Sequence, residues 1–429
     1  MGMTTGRRPG LNPMIAVIIV MSFALGDARA ENLDALRLRA SGGDIGAMIV
    51  LGVEFRDGAP DVKPDPAESI RWFRLAADRG DARGMVNLAA AYMTGRGVPL
   101  DYTEAVRWLR RGVDAGSPNA MMWLGYAYQQ GIGGLPQDDT EGLNWITRAA
   151  ELGDVGAMSV LGLHFESGIE KPDCPKALTW LERAANAGSR SDMWELGTMH
   201  EFGRCVHQNY SVAVKWYRKS ADAGLPVGME SLGTMYEFGR GVGKNRREAL
   251  KWYTRAAERG WEPAMMSAAR ICLSGDTIDY ANAKRWLQAA TDKDDTDAMG
   301  ALGDMYRKGQ TGEHDYSAAL DWYKRGVEKR NQGAALRIGR MYLTGEGVTR
   351  DAAQAYFWLT LAAFNHSFAN SPNERSAAKA RLDKAKIKEI ENDVLQWVTA
   401  HLDPQTCGQI GIVPPCQPDD RWPASGLPH

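Results

Sequence analysis

The sequence predicts an all-α protein, an α/α solenoid of about nine helix-pair repeats with helical caps. Three observations lead to this prediction. Similar segments follow one another at steps of 34 to 37 residues, each carries a glycine at its twelfth place, and each carries a tryptophan at the same place of its second half. A period of this length is typical of helical arrays, in which each unit buries its apolar face against its neighbours.

The first half of each segment predicts a helix, helix A, whose buried face follows a fixed pattern. Met stands at the second place in eight segments, Leu usually at the fifth, Gly or Ala at the sixth and an aromatic residue usually at the ninth. At 100° per residue these places share one arc of the helix. The glycine at the twelfth place ends the helix in the left-handed conformation. The nine helices are predicted to begin at Ala47, Gly84, Ala120, Ala157, Asp192, Gly228, Ala264, Ala298 and Ala334.

The second half of each segment predicts a further helix, helix B, with a tryptophan followed four and five residues later by small residues. Small residues let helices approach closely, and a tryptophan fills the space between them. We expect the nine tryptophans to dominate the core because each buries a large apolar area. They are Trp72, Trp108, Trp145, Trp180, Trp216, Trp252, Trp286, Trp322 and Trp358.

The shared pattern is Ala-Met-x-x-Leu-Gly-x-x-Tyr-x-x-Gly-x-Gly-Val and then Ala-x-x-Trp-x-x-x-Ala-Ala-x-x-Gly, which residues 229–260 match almost throughout. It resembles the Sel1-like repeat, a relative of the tetratricopeptide repeat, over about 320 of 429 residues. The resemblance implies that the α/α solenoid is a right-handed superhelix that serves as an adaptor in protein complexes, with exported bacterial members in signalling, envelope assembly and host interaction. Departures are local, at Ala268 and Ala269 and in the loops 168–174 and 309–315.

The first thirty residues are typical of a secretory signal peptide. Arg7 and Arg8 precede an apolar run, 14–25, and Ala28 and Ala30 supply the small residues that a signal peptidase recognises. We expect cleavage before Glu31, no membrane span afterwards, and a location in the periplasm of a Gram-negative bacterium or outside the cell. An uncleaved anchor is the alternative.

The rest of the chain divides at the limits of the repeats. Residues 31–46 are predicted to form an N-terminal half-repeat cap, 47–363 the nine repeats, 364–402 capping helices and 403–429 a proline-rich irregular tail. The amphipathic pattern of 374–402 is what a solenoid needs to cover its last apolar face.

Charge and motifs exclude several classes of function. Lys and Arg number 51 and Asp and Glu 53, with no run of either sign, so nucleic acid is not an expected partner. No phosphate loop, dinucleotide fingerprint, zinc-protease motif or nucleophile elbow occurs in the sequence. We therefore predict no cofactor, no metal ion and no catalytic residues.

Five cysteines in an exported protein predict disulfides. We predict one bond between Cys407 and Cys416 and another between Cys174 and Cys205, with Cys272 left free. Cys174 and Cys205 occupy equivalent loops of adjacent repeats, which a solenoid stacks side by side. Free thiols, or a metal ion held with His200 and His207, are the alternatives at this pair.

The part of helix A that faces away from the core is the predicted binding face, on the concave surface of the superhelix. Large apolar side chains outside the repeat pattern are not needed for folding, and exposed aromatics mixed with charge are typical of interface hot spots. The recurring carboxylates are interpreted as part of a solvated face. The predicted partner-binding residues are Trp123, Tyr126, Trp194, Glu201, Phe202, Glu237 and Phe238.

These features favour an exported adaptor or scaffold that binds a protein or peptide and is not an enzyme. It would act in envelope signalling or assembly. Two alternatives stay open at this stage: a cell-envelope enzyme acting on peptidoglycan, and a structural subunit of a secretion or surface machine. A pocket with a strongly perturbed titratable pair would favour the enzyme, and a permanent partner on a large apolar interface would favour the structural subunit.

Overall fold

A computed structural model describes residues 33–60, 62–167, 172–275, 278–363 and 372–401, and within these ranges the protein is all-α, with 21 helices and no β-strand. The chain divides into two compact units, residues 1–223 and 224–429. In each unit, consecutive helices pack against each other, A against B within a repeat and B against the A helix of the next. The prediction of an all-α solenoid of about nine helix pairs is confirmed.

Unit 1 begins with helix α1 (Leu33–Ser41), whose Leu36 and Ala40 are buried against α2. Five repeats follow. Their A helices are α2 (Ile45–Asp57), α4 (Ala82–Thr94), α6 (Pro118–Gln130), α8 (Val155–Ser167) and α10 (Arg190–Phe202). Their B helices are α3 (Pro66–Asp78), α5 (Tyr102–Asp114), α7 (Asp139–Glu151), α9 (Cys174–Asn186) and α11 (Tyr210–Asp222).

Unit 2 holds four repeats and two further helices. Its A helices are α12 (Pro226–Phe238), α14 (Glu262–Cys272), α16 (Thr296–Arg307) and α18 (Gln332–Thr344). Its B helices are α13 (Arg246–Glu258), α15 (Tyr280–Thr291), α17 (Tyr316–Glu328) and α19 (Ala352–Ala363). The last two helices, α20 (Pro372–Lys379) and α21 (Lys384–His401), both pack on α19.

The A helices begin two residues before the predicted positions, so that α4 starts at Ala82 and not at Gly84. For α4 the cause is its N-cap residue, Asp81, which lies directly before the helix. The carboxylate of Asp81 accepts hydrogen bonds from the backbone N–H groups of Arg83 and Gly84, which fixes the first turn. The predicted helix ends are confirmed at five glycines with left-handed backbone: Gly95, Gly131, Gly203, Gly239 and Gly345.

The side chain that follows the tryptophan is buried in every repeat. In all nine repeats this residue is at most 1% exposed. It packs on the residue at the sixth place of helix A in the same repeat. In the first repeat that residue is Gly52, and a Cβ atom on it would lie 2.4 Å from Cε1 of Phe73. The nine residues are Phe73, Leu109, Ile146, Leu181, Tyr217, Tyr253, Leu287, Tyr323 and Leu359.

The tryptophans lie nearer the edge of the core than the sequence predicts. Trp358 is fully buried, but four of the nine are only half-buried. In six repeats the cationic side chain three residues later lies over the indole ring, as Arg111 does over Trp108 at 4.2 Å and Lys219 over Trp216 at 4.0 Å. The long aliphatic stems of these side chains cover the exposed ring edges. The half-buried tryptophans are Trp145, Trp180, Trp216 and Trp322.

None of the helices in the described ranges combines the length and the apolar character that a membrane span requires.

The contact between Gly52 and Phe73 gives the first prediction. We expect Gly52→Ala to lower the free energy of unfolding by about 1 to 2 kcal/mol, because the overpacking against Phe73 outweighs the gain of about 1 kcal/mol in helix propensity. In a Phe73→Leu background the same substitution should be neutral or stabilising, since the second repeat pairs Ala89 with Leu109 at these places. Urea unfolding of the wild-type protein, the two single variants and the double variant measures the coupling free energy between positions 52 and 73.

Gly243→Ala is the control, because a Cβ atom at Gly243 meets nothing within 4 Å. A gain in stability from Gly52→Ala in the wild-type background would show that the sixth place does not need glycine.

Candidate functional site

The structure separates the seven predicted partner-binding residues into three groups. Trp123, Glu201 and Glu237 are buried, with 6%, 9% and 4% of their surface exposed. Tyr126 and Trp194 are partly buried. The remaining two, Phe202 and Phe238, are 66% and 56% exposed. The expectation of an exposed side chain is therefore wrong for the first three.

Trp123 belongs to the packing of unit 1. Helix α6, which carries it, contacts the A helices on both sides, α4 and α8, so a large side chain at its fourth place is enclosed. The ring meets that of Tyr126 edge to face, with 6.0 Å between the centroids and 79° between the planes. Burial, with a smaller contribution from Tyr102, raises the pKa of Tyr126.

Glu201 is buried because a tyrosine of the facing helix binds it. The hydroxyl of Tyr217, which follows the tryptophan of helix α11, donates a hydrogen bond of 2.6 Å to Oε2 of Glu201. A buried hydroxyl requires a partner, and the carboxylate supplies it. Burial, and then this hydrogen bond, raise the pKa of Tyr217 far above its usual value. The interpretation of Glu201 as part of a solvated face is wrong.

Glu237 repeats this arrangement in unit 2 and adds a cation. Its Oε2 accepts hydrogen bonds from the hydroxyl of Tyr253 at 2.9 Å and from Nη2 of Arg270 at 2.8 Å, and its Oε1 binds Nη1 of Arg270. Burial would raise the pKa of Glu237, but the hydrogen bonds from Arg270 and Tyr253 outweigh it and hold this pKa below its usual value.

A third tyrosine, Tyr323, finds its acceptor at another place of helix A. Its hydroxyl donates to Oδ1 of Asp304 at 2.7 Å, and Nε of Arg337 lies 3.1 Å from both oxygens of the same carboxylate. The signal that could have located all three carboxylates is a tyrosine directly after the tryptophan, with an acidic residue on helix A of the same repeat. The three carboxylates therefore already accept hydrogen bonds from side chains of the repeats themselves, namely the tyrosine hydroxyls and two arginine guanidinium groups.

Phe202 and Phe238 stand at the eleventh place of helix A, one residue before the glycine that ends it. In the other seven repeats this place holds a polar or charged residue, so the fold requires no apolar side chain here. Arg240 lies 5.5 Å from the centroid of the Phe238 ring and leaves more than half of this side chain exposed. The seven polar residues are Asp57, Thr94, Gln130, Ser167, Ser274, Lys308 and Thr344.

Cys174 and Cys205 form a disulfide bond, with 5.0 Å between their Cα atoms. Other repeats have a glycine at the place of Cys205, and a Cβ atom on one of these, Gly97, would lie 2.4 Å from the carbonyl oxygen of Pro66. Pro66 is the first residue of helix α3, as Cys174 is of helix α9. Cys205 keeps the positive φ of the glycines, at 57°. The disulfide thus replaces a close backbone contact between neighbouring repeats.

Cys272 is a buried free thiol, and burial raises its pKa. Cys407 and Cys416 lie outside the described residues, so their predicted bond stays a prediction. In the part of the chain that the structure describes, no cluster of three or more His, Cys, Asp or Glu residues could hold a metal ion.

Nine consecutive segments match the model of the Sel1 repeat: residues 45–81, 82–117, 118–154, 155–189, 191–225, 226–261, 263–295, 296–331 and 333–363. The chain belongs to the Sel1 repeat family. Sel1 repeat proteins are generally scaffolds for interactions between proteins. No curated protein matches the chain.

Several solved structures are similar to this Sel1 repeat protein. A Sel1 repeat protein from Oxalobacter formigenes is 27% identical, covers 76% of this chain and 99% of its own, and has a TM-score of 0.49. A protective antigen, c5321, from uropathogenic Escherichia coli is 24% identical over 91% of both chains, with a TM-score of 0.44. The immunity protein Pa5087 of Pseudomonas aeruginosa is 22% identical over 58% of this chain and 82% of its own, with a TM-score of 0.37.

The disulfide gives the second prediction. Cys174→Ala combined with Cys205→Gly should lower the free energy of unfolding of unit 1 by up to about 3 to 4 kcal/mol, because the bond closes a loop with a sequence separation of 31 residues. Glycine at position 205 keeps the positive φ free of strain. Urea unfolding under non-reducing conditions, followed by circular dichroism, measures the change.

Wild-type protein treated with a reductant is the matched control and should unfold like the double variant. A double variant as stable as the oxidised wild-type protein would show that the bond contributes nothing.

Proposed function

We propose that this Sel1 repeat protein is an exported adaptor that binds a protein or peptide partner on its helix A faces and carries out no turnover. The observation that carries the proposal is the exposure of Phe202 and Phe238, each more than half accessible at a place that is polar in every other repeat. An adaptor requires surface side chains that the fold does not use, and these two meet that condition. We assign the protein a role in envelope signalling or assembly.

The chemistry of the two phenylalanines supports binding of a protein. Exposing a large aromatic side chain to water is unfavourable, and a partner that covers it removes apolar area at about 25 cal/mol per Å². Such aromatics, surrounded by polar groups, are where the binding energy of protein interfaces concentrates. Near Phe202 lies Arg204, which pairs with Glu166 and Glu195, and near Phe238 lies Arg240. Polar groups of this kind form the rim of an interface.

Two features support export. The first thirty residues have the arrangement of a signal peptide, and the Cys174–Cys205 bond belongs to a class of bonds that persist in oxidising compartments. We place the mature protein in the periplasm or outside the cell on these grounds.

The third prediction tests the binding surface. Peptides selected from a random displayed library against the wild-type protein should lose at least about tenfold in affinity for Phe202→Ser or Phe238→Ser, since truncating a hot spot costs about 2 kcal/mol or more of binding. Serine is the residue found at this place in two other repeats. The melting temperature should stay within about 2 °C of the wild-type value, because surface changes cost the fold little.

Gln130→Ser, at the same place of helix α6, is the control and should leave affinity unchanged. A sharp fall in melting temperature for Phe202→Ser would place this ring in the core. Unchanged affinity in both phenylalanine variants would move the binding surface elsewhere.

The fourth prediction tests export. In a Gram-negative host, the full chain should appear in the periplasmic or extracellular fraction with Glu31 as its first residue, because Ala28 and Ala30 precede that position. Intact-mass measurement of the fractionated protein decides this. A mature chain that retains residues 14–25 would indicate a membrane-anchored protein.

A further inference from the structure

The first place of helix A holds alanine or glycine in eight repeats and an aspartate, Asp192, in the fifth. This place is tight, because helix A lies there against the preceding helix B. A Cβ atom on Gly84, for example, would lie 2.7 Å from the backbone nitrogen of Ala77. Asp192 is nevertheless only 3% exposed. The packing of the repeat does not require a carboxylate at this place, so the buried acid needs another explanation.

Asp192 links the A helices of the fourth and fifth repeats. Its Oδ2 accepts a hydrogen bond of 2.5 Å from Oγ of Ser159 on helix α8. Its backbone N–H donates to Oγ of Ser189, the N-cap residue of helix α10, at 3.4 Å. One repeat earlier, the places of Ser159 and Asp192 hold Met122 and Ala157, which are both buried. The junction of the fourth and fifth repeats therefore has polar side chains where the preceding junction has apolar ones.

The apolar core of unit 1 is interrupted at the same junction. One cluster of buried side chains runs from Leu36 on α1 to Leu161 on α8 and Ala184 on α9. A separate cluster lies between α9 and α10, and its buried members are Leu181, Ala185, Leu196 and Met199. Helices α8 and α10 belong to different clusters, so polar contacts carry more of the link between them.

Two further links hold this junction at the other end of the A helices. Arg204, in the loop after α10, lies 2.5 Å from a carboxylate oxygen of Glu166 on α8 and 2.6 Å from one of Glu195 on α10. The disulfide bond joins the same loop to the start of α9. The junction is therefore covalently fixed at the loop edge, whereas at the opposite end the link is the hydrogen bond between Asp192 and Ser159.

No cation in the described ranges of the chain pairs with Asp192. Burial raises the pKa of Asp192, the hydrogen bonds from Ser159 and Ser189 offset part of this effect, and the negative charge of Glu195 on the same helix raises the pKa further. On α8, the charged residue Glu166 lies about two turns beyond Ser159. The carboxylate is therefore held by hydroxyl groups and not by a countercharge.

The other elements at this end of α10 present no charge that offsets the carboxylate. Helix α9 contributes Ala184, whose carbonyl oxygen accepts from the backbone N–H of Ser189. Helix α11 contributes Ser220, whose hydroxyl donates to the carbonyl oxygen of Arg190 at 2.8 Å. The charge of Arg190, the first residue of α10, does not shift the pKa of Asp192.

We propose that the contact between α8 and α10 is a pH-dependent joint, which is firm when Asp192 is protonated and loosened when Asp192 is ionised. A buried carboxylate that loses its proton without a cation nearby is an uncompensated charge, which is costly. The stabilisation is complete below the ordinary pKa of 3.8 and is lost as the pH rises through the higher pKa of the folded chain. The joint does not depend on binding at Phe202, although α10 carries that residue as well.

The test compares amide hydrogen exchange, followed by mass spectrometry, in the disulfide-bonded full chain and in its Asp192→Asn variant. Asparagine keeps the size of the side chain and an acceptor for Ser159 but carries no charge. At about pH 7, amides of α8 and of the first turns of α10 should exchange at least about fivefold more slowly in the variant, since one pKa unit corresponds to about tenfold. At about pH 4 the two proteins should exchange alike, because Asp192 is then protonated.

A second variant tests the same joint without asparagine. Ser159→Met combined with Asp192→Ala installs the residue types of Met122 and Ala157, and its α8 and α10 amides should also exchange more slowly than those of the wild-type protein at about pH 7. Asp114→Asn is the matched control, because it makes the same change at an exposed position of α5. It should leave exchange in α8 and α10 within about twofold of the wild-type rate at both pH values.

Three results would overturn the proposal. Equal exchange in the wild-type protein and Asp192→Asn at about pH 7 would show that the ionised carboxylate does not loosen the junction. Faster exchange in Asp192→Asn at that pH would show that the ionised form holds the junction together. A difference of the same size at both pH values would show that it does not arise from titration of Asp192. The peptide-affinity test of Phe202→Ser and Phe238→Ser is decided separately from all three.

Discussion

Each repeat depends on one contact, between the sixth residue of helix A and the residue that follows the tryptophan of helix B. The second residue is at most 1% exposed in all nine repeats, and where the first is glycine a Cβ atom would collide with it. The absence of a side chain on helix A therefore sets how closely the two helices approach. Two repeats use alanine in place of glycine, and both pair it with leucine, at Leu109 and Leu287. Leucine also stands opposite glycine, at Leu181 and Leu359, whereas phenylalanine, isoleucine and tyrosine stand opposite glycine alone, because the volume between the two helices is small.

The same contact explains why the candidate site was predicted only in part. When the side chain after the tryptophan is leucine, isoleucine or phenylalanine, helix A needs no polar partner for it. When it is tyrosine, the buried hydroxyl requires an acceptor, and Glu201 and Glu237 supply one in their own repeats. Read as single positions, these glutamates look like surface residues. Their burial follows only from a pairing across the two helices, which periodicity along one helix does not display.

The fold was far more predictable than the site for a related reason. Helix pairs and helix ends recur with the period of the repeat, so nine copies of each signal reinforce one another. The disulfide occurs once, but the same period places Cys174 and Cys205 in equivalent loops of adjacent repeats. Trp123 occurs once, and a single occurrence does not separate a binding residue from one enclosed between neighbouring A helices. The starts of the A helices were missed by two residues, and in several of them, such as α4, a capping aspartate or serine and not the first apolar residue fixes the first turn.

The loop edge of the repeats shows how one contact takes on different roles. With glycine, the loop lies directly against the first residue of the preceding helix B, as Gly97 does against the backbone of Pro66 and Gly347 against the side chain of Tyr316. With Cys205, the same closeness becomes a covalent bond. In the seventh repeat, Arg246 reaches across from the preceding helix B and donates a hydrogen bond to the carbonyl oxygen of Ser274. A repeat protein conserves its fold through places that do not change from copy to copy, so a specific function must come from those that do. The phenylalanines at the ends of α10 and α12 are such places, because the packing of the repeat does not require an apolar side chain there.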